Sequence, residues 1–228
     1  DLTAVGYNVL GANTTGYSNV GVGGSASFLA AALATNTTGY GNTALGSGAM
    51  AATTTASSNV AVGRQSMYAN TTGSNNVAIG QAALALNTTG AANAAFGYLA
   101  LDANTTANGN TAIGYTSMSA NTTGADNTAL GAASLLSNTT GNYNVAIGTA
   151  ALDANTTADA LTANVAFNNN TAVGKNSLLA YGASGSSDGH NVAVGMETMD
   201  ALTTGSYNIA VGGQSQGAGT TTDYNVSM

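Results

Sequence analysis

The chain of 228 residues contains no cysteine, no proline and no tryptophan, and only two of its residues are basic. Without cysteine it can form neither a disulfide framework nor a thiolate metal site. Arg64 and Lys175 stand against nine acidic residues, which argues against a nucleic-acid partner, because such a partner is bound through Lys and Arg. The absence of proline suits a backbone whose N–H groups are nearly all committed to hydrogen bonds between coils.

Long apolar runs and charged residues are scarce as well. No stretch of eighteen apolar residues occurs, so we expect no membrane insertion. Charged residues make up only 5% of the chain. No signal-like segment follows Asp1, and neither end shows a polar cap. We therefore expect a processed or excised segment, uncapped at both ends, that belongs to a longer fibre or stacks head to tail on copies of itself.

A seventeen-residue repeat dominates the sequence. The phrase NNVAIGQAALALNTTG at 75–90 is followed from residue 93 by NAAFGYLALDANTTA. Longer steps between repeats contain insertions near 28–35, 159–168 and 181–190. A fixed period over the whole chain predicts one continuous repeat domain, 1–228, of the β-solenoid or β-roll class with about twelve repeats. The glycine that closes the short apolar run marks the repeats, at Gly6, Gly23, Gly46, Gly63, Gly80, Gly97, Gly114, Gly131, Gly148, Gly174, Gly195 and Gly212.

The run NVAIG predicts one short strand in each repeat. Side chains alternate in a strand, so Val77 and Ile79 lie on one face, and Asn76 and Ala78 on the other. The Ile79 position is large and apolar in every repeat, and the Ala78 position is Ala in all but one, where Gly21 replaces it. We therefore expect both strand faces to be buried. A lone coil has only one interior, so the second face calls for sister chains, and we expect a homotrimer around a shared axis.

The second half of the repeat has a different composition. Residues such as Ala83, Leu84 and Met118 favour helix over strand, which predicts a short helical turn, with a second strand as the alternative. The phrase NTTG that follows is typical of a corner.

Asparagine recurs at the start of each strand. Stacked in register, these amides would hydrogen-bond along the fibre as asparagine ladders do in cross-β assemblies. The predicted ladder comprises Asn19, Asn42, Asn59, Asn76, Asn93, Asn110, Asn127, Asn144, Asn170, Asn191 and Asn208.

The asparagine of each N-T-T triplet also satisfies the rule for N-glycosylation. Turn chemistry alone accounts for the same phrase, so both interpretations stay open. The candidate glycosylation sites are Asn13, Asn36, Asn70, Asn87, Asn104, Asn121, Asn138 and Asn155.

Residues for catalysis or metal binding are few. The single histidine, His190, lies near Asp188 in a Gly/Ser-rich insertion, without a recognisable third group. Asp102, Asp153 and Asp200 share one position of the repeat, but one carboxylate per coil does not make a calcium motif. We expect no catalytic residue, no metal site and no cofactor, and hence no enzyme. Tyrosines near the corners either pack at the surface or stack on glycans.

With NTAIGYTSMSANTTG at 110–124 and NVAIGTAALDANTTA at 144–158, the sequence resembles the repeat regions of phage tail-fibre-like proteins. More distantly, it is similar to the left-handed β-roll head of trimeric autotransporter adhesins. The resemblance covers nearly the whole chain and implies a trimeric attachment fibre that is extracellular, on a cell surface or on a virion.

These observations predict a structural or adhesive fibre or filament segment. Its expected partners are copies of itself, as a homotrimer and as a head-to-tail polymer, together with a surface glycan or receptor. An ice-binding or glycan-binding β-solenoid is the alternative from another class, and a polysaccharide-acting β-helix enzyme is a weaker one.

Overall fold

The computed structural model describes residues 1–24, 30–154, 169–181, 189–217, 221 and 223–228. Over these residues the chain forms thirteen short β-strands and no helix. Neighbouring strands pair in parallel, as Val60, Ala61 and Val62 pair with Val77, Ala78 and Ile79. This arrangement confirms the predicted β-solenoid of about twelve turns with seventeen-residue spacing. No helix in the described part is long and apolar enough to cross a membrane.

The chain divides into two compact units, Asp1–Asn110 and Thr111–Met228. Within each unit the strands pair in chain order. The single continuous domain stays a prediction. The first unit contains β1 (Leu2–Val5), β2 (Asn19–Val22), β3 (Thr43–Leu45), β4 (Val60–Val62), β5 (Val77–Ile79) and β6 (Ala94–Phe96). The second contains β7 (Thr111–Ile113), β8 (Thr128–Leu130), β9 (Val145–Ile147), β10 (Thr171–Val173), β11 (Val192–Val194), β12 (Ile209–Val211) and β13 (Val226–Ser227).

The core of each coil is thin. The strand contributes one fully buried alanine, such as Ala78, and the second half of the repeat contributes one fully buried large side chain, such as Leu84. Only Leu or Met occupies that second position in the regular coils, because an unbranched or γ-branched chain fills the narrow interior. Its members are Leu33, Met50, Met67, Leu84, Leu101, Met118, Leu135, Leu152, Leu178 and Met199.

Crowding in this core explains why β2 has glycine in place of the inner alanine. A Cβ at Gly21 would lie 2.5 Å from Cγ1 of Val9 in the preceding coil. Most other coils carry Ala or Ser where the first coil carries Val9. Gly21 therefore compensates for a larger neighbour, which shows that the inner strand position is small because space is limited.

The predicted helical turn does not form, and neither does a second strand. The segment from Gln81 to Leu86 is a series of turns, with Ala82 at φ 55° and Leu84 at φ 54° in the left-handed region. The Ala82 N–H donates to Arg64 O of the preceding coil at 3.0 Å, whereas the Leu84 N–H donates to Ala100 O of the next coil at 3.0 Å. In an α-helix these N–H groups would donate to carbonyls of the same helix. Hydrogen bonding to both neighbouring coils overrides helix propensity.

The glycine that ends each strand is required by its backbone. Gly80 has φ 134°, and a Cβ there would collide with the carbonyl of Gly97 in the next coil. Close stacking of backbone on backbone therefore fixes glycine at this position.

Residues at the edge of two predicted insertions are buried in the core. Leu33 is fully buried at the position of Met50, so residues 31–35 belong to a regular coil and not to the insertion predicted at 28–35. Tyr181, predicted to open the 181–190 insertion, is also fully buried. The insertion at 159–168 lies outside the described residues.

Candidate interaction surface and ladders

The outer strand face is formed by the two outward positions of every strand, equivalent to Val77 and Ile79. In the single chain Val77 is half-buried and Ile79 is 38% exposed, while Ala78 between them is fully buried. Leu45 and Leu130 on other strands are exposed by 47% and 45%. The strand is therefore buried on its inner face, and the chain itself does not cover the outer one.

The outer strand face carries no charge. In the first unit its members are Thr3, Val5, Val20, Val22, Thr43, Leu45, Val60, Val62, Val77, Ile79, Ala94 and Phe96, and in the second unit they are Thr111, Ile113, Thr128, Leu130, Val145, Ile147, Thr171, Val173, Val192, Val194, Ile209, Val211 and Val226. A strand of three residues covers about 50 Å² at the usual strand spacing, so six strands give about 300 Å². This area lies within the range of the largest apolar patch on a typical monomer, about 300–600 Å².

The asparagines at the strand starts lie inside the coil. Asn76 is fully buried, its N–H donates to Oδ1 of Asn59 at 2.9 Å, and its Nδ2 donates to Gly90 O at 2.8 Å. Its own Oδ1 accepts the N–H of Asn93 at 2.9 Å and Nδ2 of Asn93 at 3.2 Å. The same bonds join Asn144, Asn170, Asn191 and others in the second unit. All eleven asparagines of this strand ladder are at most 1% exposed.

The corner asparagines form a second ladder, which sequence reasoning missed. Nδ2 of Asn87 donates to Oδ1 of Asn70 at 2.9 Å and to Gly90 O at 2.9 Å. Nδ2 of Asn104 donates to Oδ1 of Asn87 at 2.9 Å. The signal was present in the sequence, because asparagine recurs at this corner in most coils, but turn propensity offered a sufficient explanation.

Burial of the corner ladder argues against glycan attachment. Six of the eight candidate sites are fully buried, namely Asn36, Asn70, Asn87, Asn104, Asn121 and Asn138. A sugar on Nδ2 would replace a ladder hydrogen and would need space that the coil does not have. Asn13 is partly exposed, although its Nδ2 donates to Gly16 O at 2.9 Å. Asn155 lies outside the described residues.

The corner ladder has a gap in the first unit. Thr53 occupies the corner position of its coil, between Asn36 and Asn70 in the neighbouring coils. Oδ1 of Asn36 and Oγ1 of Thr53 are buried without a hydrogen-bond partner. A hydroxyl is too short to bridge the coils as an amide does, so the gap leaves two buried polar atoms unsatisfied.

The corner threonines bear on the ice-binding alternative. They lie in a bend, where Oγ1 of Thr71 donates to Thr88 O at 3.0 Å, while Thr72 is exposed. Each such coil thus exposes one threonine of the pair, and the exposed column is one residue wide. A column this narrow does not present the flat two-dimensional array that we associate with ice binding.

Two acidic residues at the shared position, Asp102 and Asp153, are partly buried. Oδ1 of Asp102 and Oδ1 of Asp153 are buried without a hydrogen-bond partner, and burial raises the pKa of both carboxyls above the ordinary value of 3.8. Among the described residues no group of three or more His, Asp or Glu side chains could hold a metal ion.

The histidine belongs to an exposed aromatic column. The His190 ring stacks on Tyr207 with centroids 4.8 Å apart, and Tyr207 stacks on Tyr224 at 5.0 Å. Nδ2 of Asn169 lies 3.4 Å from Nε2 of His190, while Asp188, the partner considered from the sequence, lies outside the described residues. Tyrosine faces that cover one another are not free to stack on sugars.

Comparison with known proteins gives no relative: no family model, no curated protein and no solved structure matches the chain.

Proposed function

We propose that the chain is a structural segment of an extracellular fibre or filament, on a cell or virion surface, and that its copies associate through the outer strand face. The observation that supports this most directly is the uncharged apolar face repeated in every coil. The role is mechanical or adhesive and not enzymatic. The chain supplies stiffness through its two asparagine ladders, and any receptor contact would lie on loops that interrupt the repeat.

Charge distribution supports a second copy of the chain as the occupant of this face. The chain has a net charge of −7, yet no charged residue lies on the outer strand face. Two copies can therefore meet there without bringing like charges into contact. Full burial of one such side chain contributes ~1.5–3 kcal/mol. These side chains are already partly buried in the single chain, so association contributes only a fraction of that value for each one. The contributions add up over the repeats of the face.

Three copies around an axis are the assembly that we propose. The outer strand face is only two residues wide, so three such faces can enclose a narrow dry core, as three amphipathic elements do. Head-to-tail growth, in which one copy continues the coil of another, belongs to the same proposal. It predicts regular filaments in electron micrographs.

Charge substitution on the outer strand face tests the association. Ile79→Glu combined with Leu130→Glu places a carboxylate in the face of each unit, and we expect a folded monomer by sedimentation velocity and circular dichroism. The matched control is Thr72→Glu with Thr123→Glu, at exposed corner positions, which should keep the oligomer. A wild-type chain that stays a folded monomer at all concentrations would refute the proposal, and a dimer would refute the threefold arrangement.

A further inference from the structure

Two pairs of stacked tyrosines join consecutive coils at the surface. Tyr17 and Tyr40 stack with ring centroids 4.9 Å apart and planes within 2°, and Tyr207 and Tyr224 stack at 5.0 Å and 6°. All four side chains are between 43% and 77% exposed. The phenols are thus held together by the coil stacking and are open to small reagents.

We propose that these two pairs are sites of oxidative cross-linking, where a one-electron oxidant of the peroxide and haem-peroxidase class joins each pair as dityrosine. The chain has no cysteine, so its coils cannot be cross-linked by disulfides, whereas coupled tyrosines can form a covalent cross-link between coils. Each link would tie one coil to the next, which a disulfide does in other proteins.

The chemistry balances with hydrogen peroxide as the oxidant. Each phenol loses one electron and one proton to become a tyrosyl radical, and the two radicals form a carbon–carbon bond between ring positions ortho to the oxygens. The hydrogens on those two carbons then move to the oxygens as the rings regain aromaticity. The pair loses two hydrogen atoms in total, and one hydrogen peroxide becomes two waters.

Proximity favours coupling within a pair over coupling between molecules. Groups held together in one chain react at an effective concentration in the millimolar range or above. At a protein concentration on the order of 10 µM, the stacked pairs should therefore couple about 100-fold more readily than an isolated tyrosine couples with another molecule.

Tyr143 provides the isolated tyrosine for this comparison. It occupies the same position of the coil as Tyr207, with φ 58° against 61°, and is 58% exposed. Its neighbours at this position in the preceding and following coils are Asp126 and Asn169. Backbone conformation and exposure are therefore matched, and only the stacked partner is missing.

The test oxidises a mixture of ¹⁵N-labelled and unlabelled full-length chain with a peroxidase and hydrogen peroxide, followed by peptide mapping. We expect the cross-links Tyr17–Tyr40 and Tyr207–Tyr224 to carry a single isotope, whereas links from Tyr143 to another chain should include mixed-isotope products. The variants Tyr40→Phe and Tyr224→Phe keep an aromatic ring, so each should remove one link and leave the other. Mixed-isotope links at Tyr17–Tyr40 and Tyr207–Tyr224 in the share that random pairing between chains gives, or Tyr143 coupling as readily as the pairs, would overturn the proposal. So would the absence of both links under conditions that couple free tyrosine. None of these outcomes depends on the fibre proposal.

Discussion

Filling the gap in the corner ladder should stabilise the protein. In Thr53→Asn the new Nδ2 can donate to Oδ1 of Asn36, as Asn87 donates to Asn70, and the new Oδ1 can accept from Nδ2 of Asn70. The backbone of the two corners is alike, since the Thr53 N–H donates to the carbonyl three residues before it at 3.2 Å and the Asn87 N–H does the same at 3.4 Å. The substituted side chain therefore enters a conformation that the fold already uses.

The expected change in the free energy of unfolding follows from the two buried polar atoms that lack a partner. A buried polar atom without a partner costs about 1–3 kcal/mol, and a new hydrogen bond contributes about 0.5–1.5 kcal/mol. The substitution satisfies Asn36 Oδ1 and removes the unpaired hydroxyl of Thr53. Because relaxation around the gap already recovers part of this cost, we expect the free energy of unfolding to rise by about 1–3 kcal/mol. Urea unfolding followed by circular dichroism measures the change.

The reverse substitution is the matched control. Asn87→Thr creates the same gap in an intact part of the ladder and removes three hydrogen bonds, so it should lower the free energy of unfolding by about 1–3 kcal/mol or more. If Asn87→Thr destabilises while Thr53→Asn has no effect or destabilises, the gap at Thr53 is not a defect. The orphaned oxygens would then be satisfied in another way, for example by a buried water.

Three further predictions concern the core and its charge. Gly21→Ala should destabilise the fold by about 1–3 kcal/mol through overpacking against Val9, and Val9→Ala in the same chain should restore it, as thermal melting of the single and double variants shows. Leu84→Ala should cost about 2–5 kcal/mol in urea unfolding, against at most about 0.5 for Leu86→Ala, since Leu86 is 54% exposed. Because folding raises the pKa of Asp102 above 3.8, its carboxyl stabilises the fold below that pH and loses this effect as pH rises. Asp102→Asn should therefore raise the melting temperature more at pH 7 than at pH 4.

The sequence predicts the repeat and the strand because both depend on side-chain alternation. Large residues at the Ile79 position and small ones at the Ala78 position alternate with period two, and the structure places them on opposite faces. The second half of the repeat could not be predicted in the same way. Ala82 and Leu84 adopt left-handed φ values that residue propensities disfavour by about 1–2 kcal/mol, and only hydrogen bonds to both neighbouring coils make them favourable.

Of the two asparagine ladders, only the one at the strand start could be predicted from the sequence. Asparagine at the strand start suggested stacking because a strand pairs with its neighbours, whereas asparagine at the corner suggested a turn. From the sequence alone, Thr53 in place of asparagine is an unremarkable turn residue. Once the corner ladder is known, Thr53 is recognised as a break in it.

The thin core and the exposed face have one cause. Inside the coil the space at the inner strand position is limited, since a Cβ at Gly21 would lie 2.5 Å from Cγ1 of Val9. The larger apolar residues of the strand, such as Ile79, therefore have no interior position open to them. They lie on the outer strand face, where β-branched side chains favour the extended backbone but remain exposed to water. A second apolar surface would cover this face, and the sister copies proposed above would supply it.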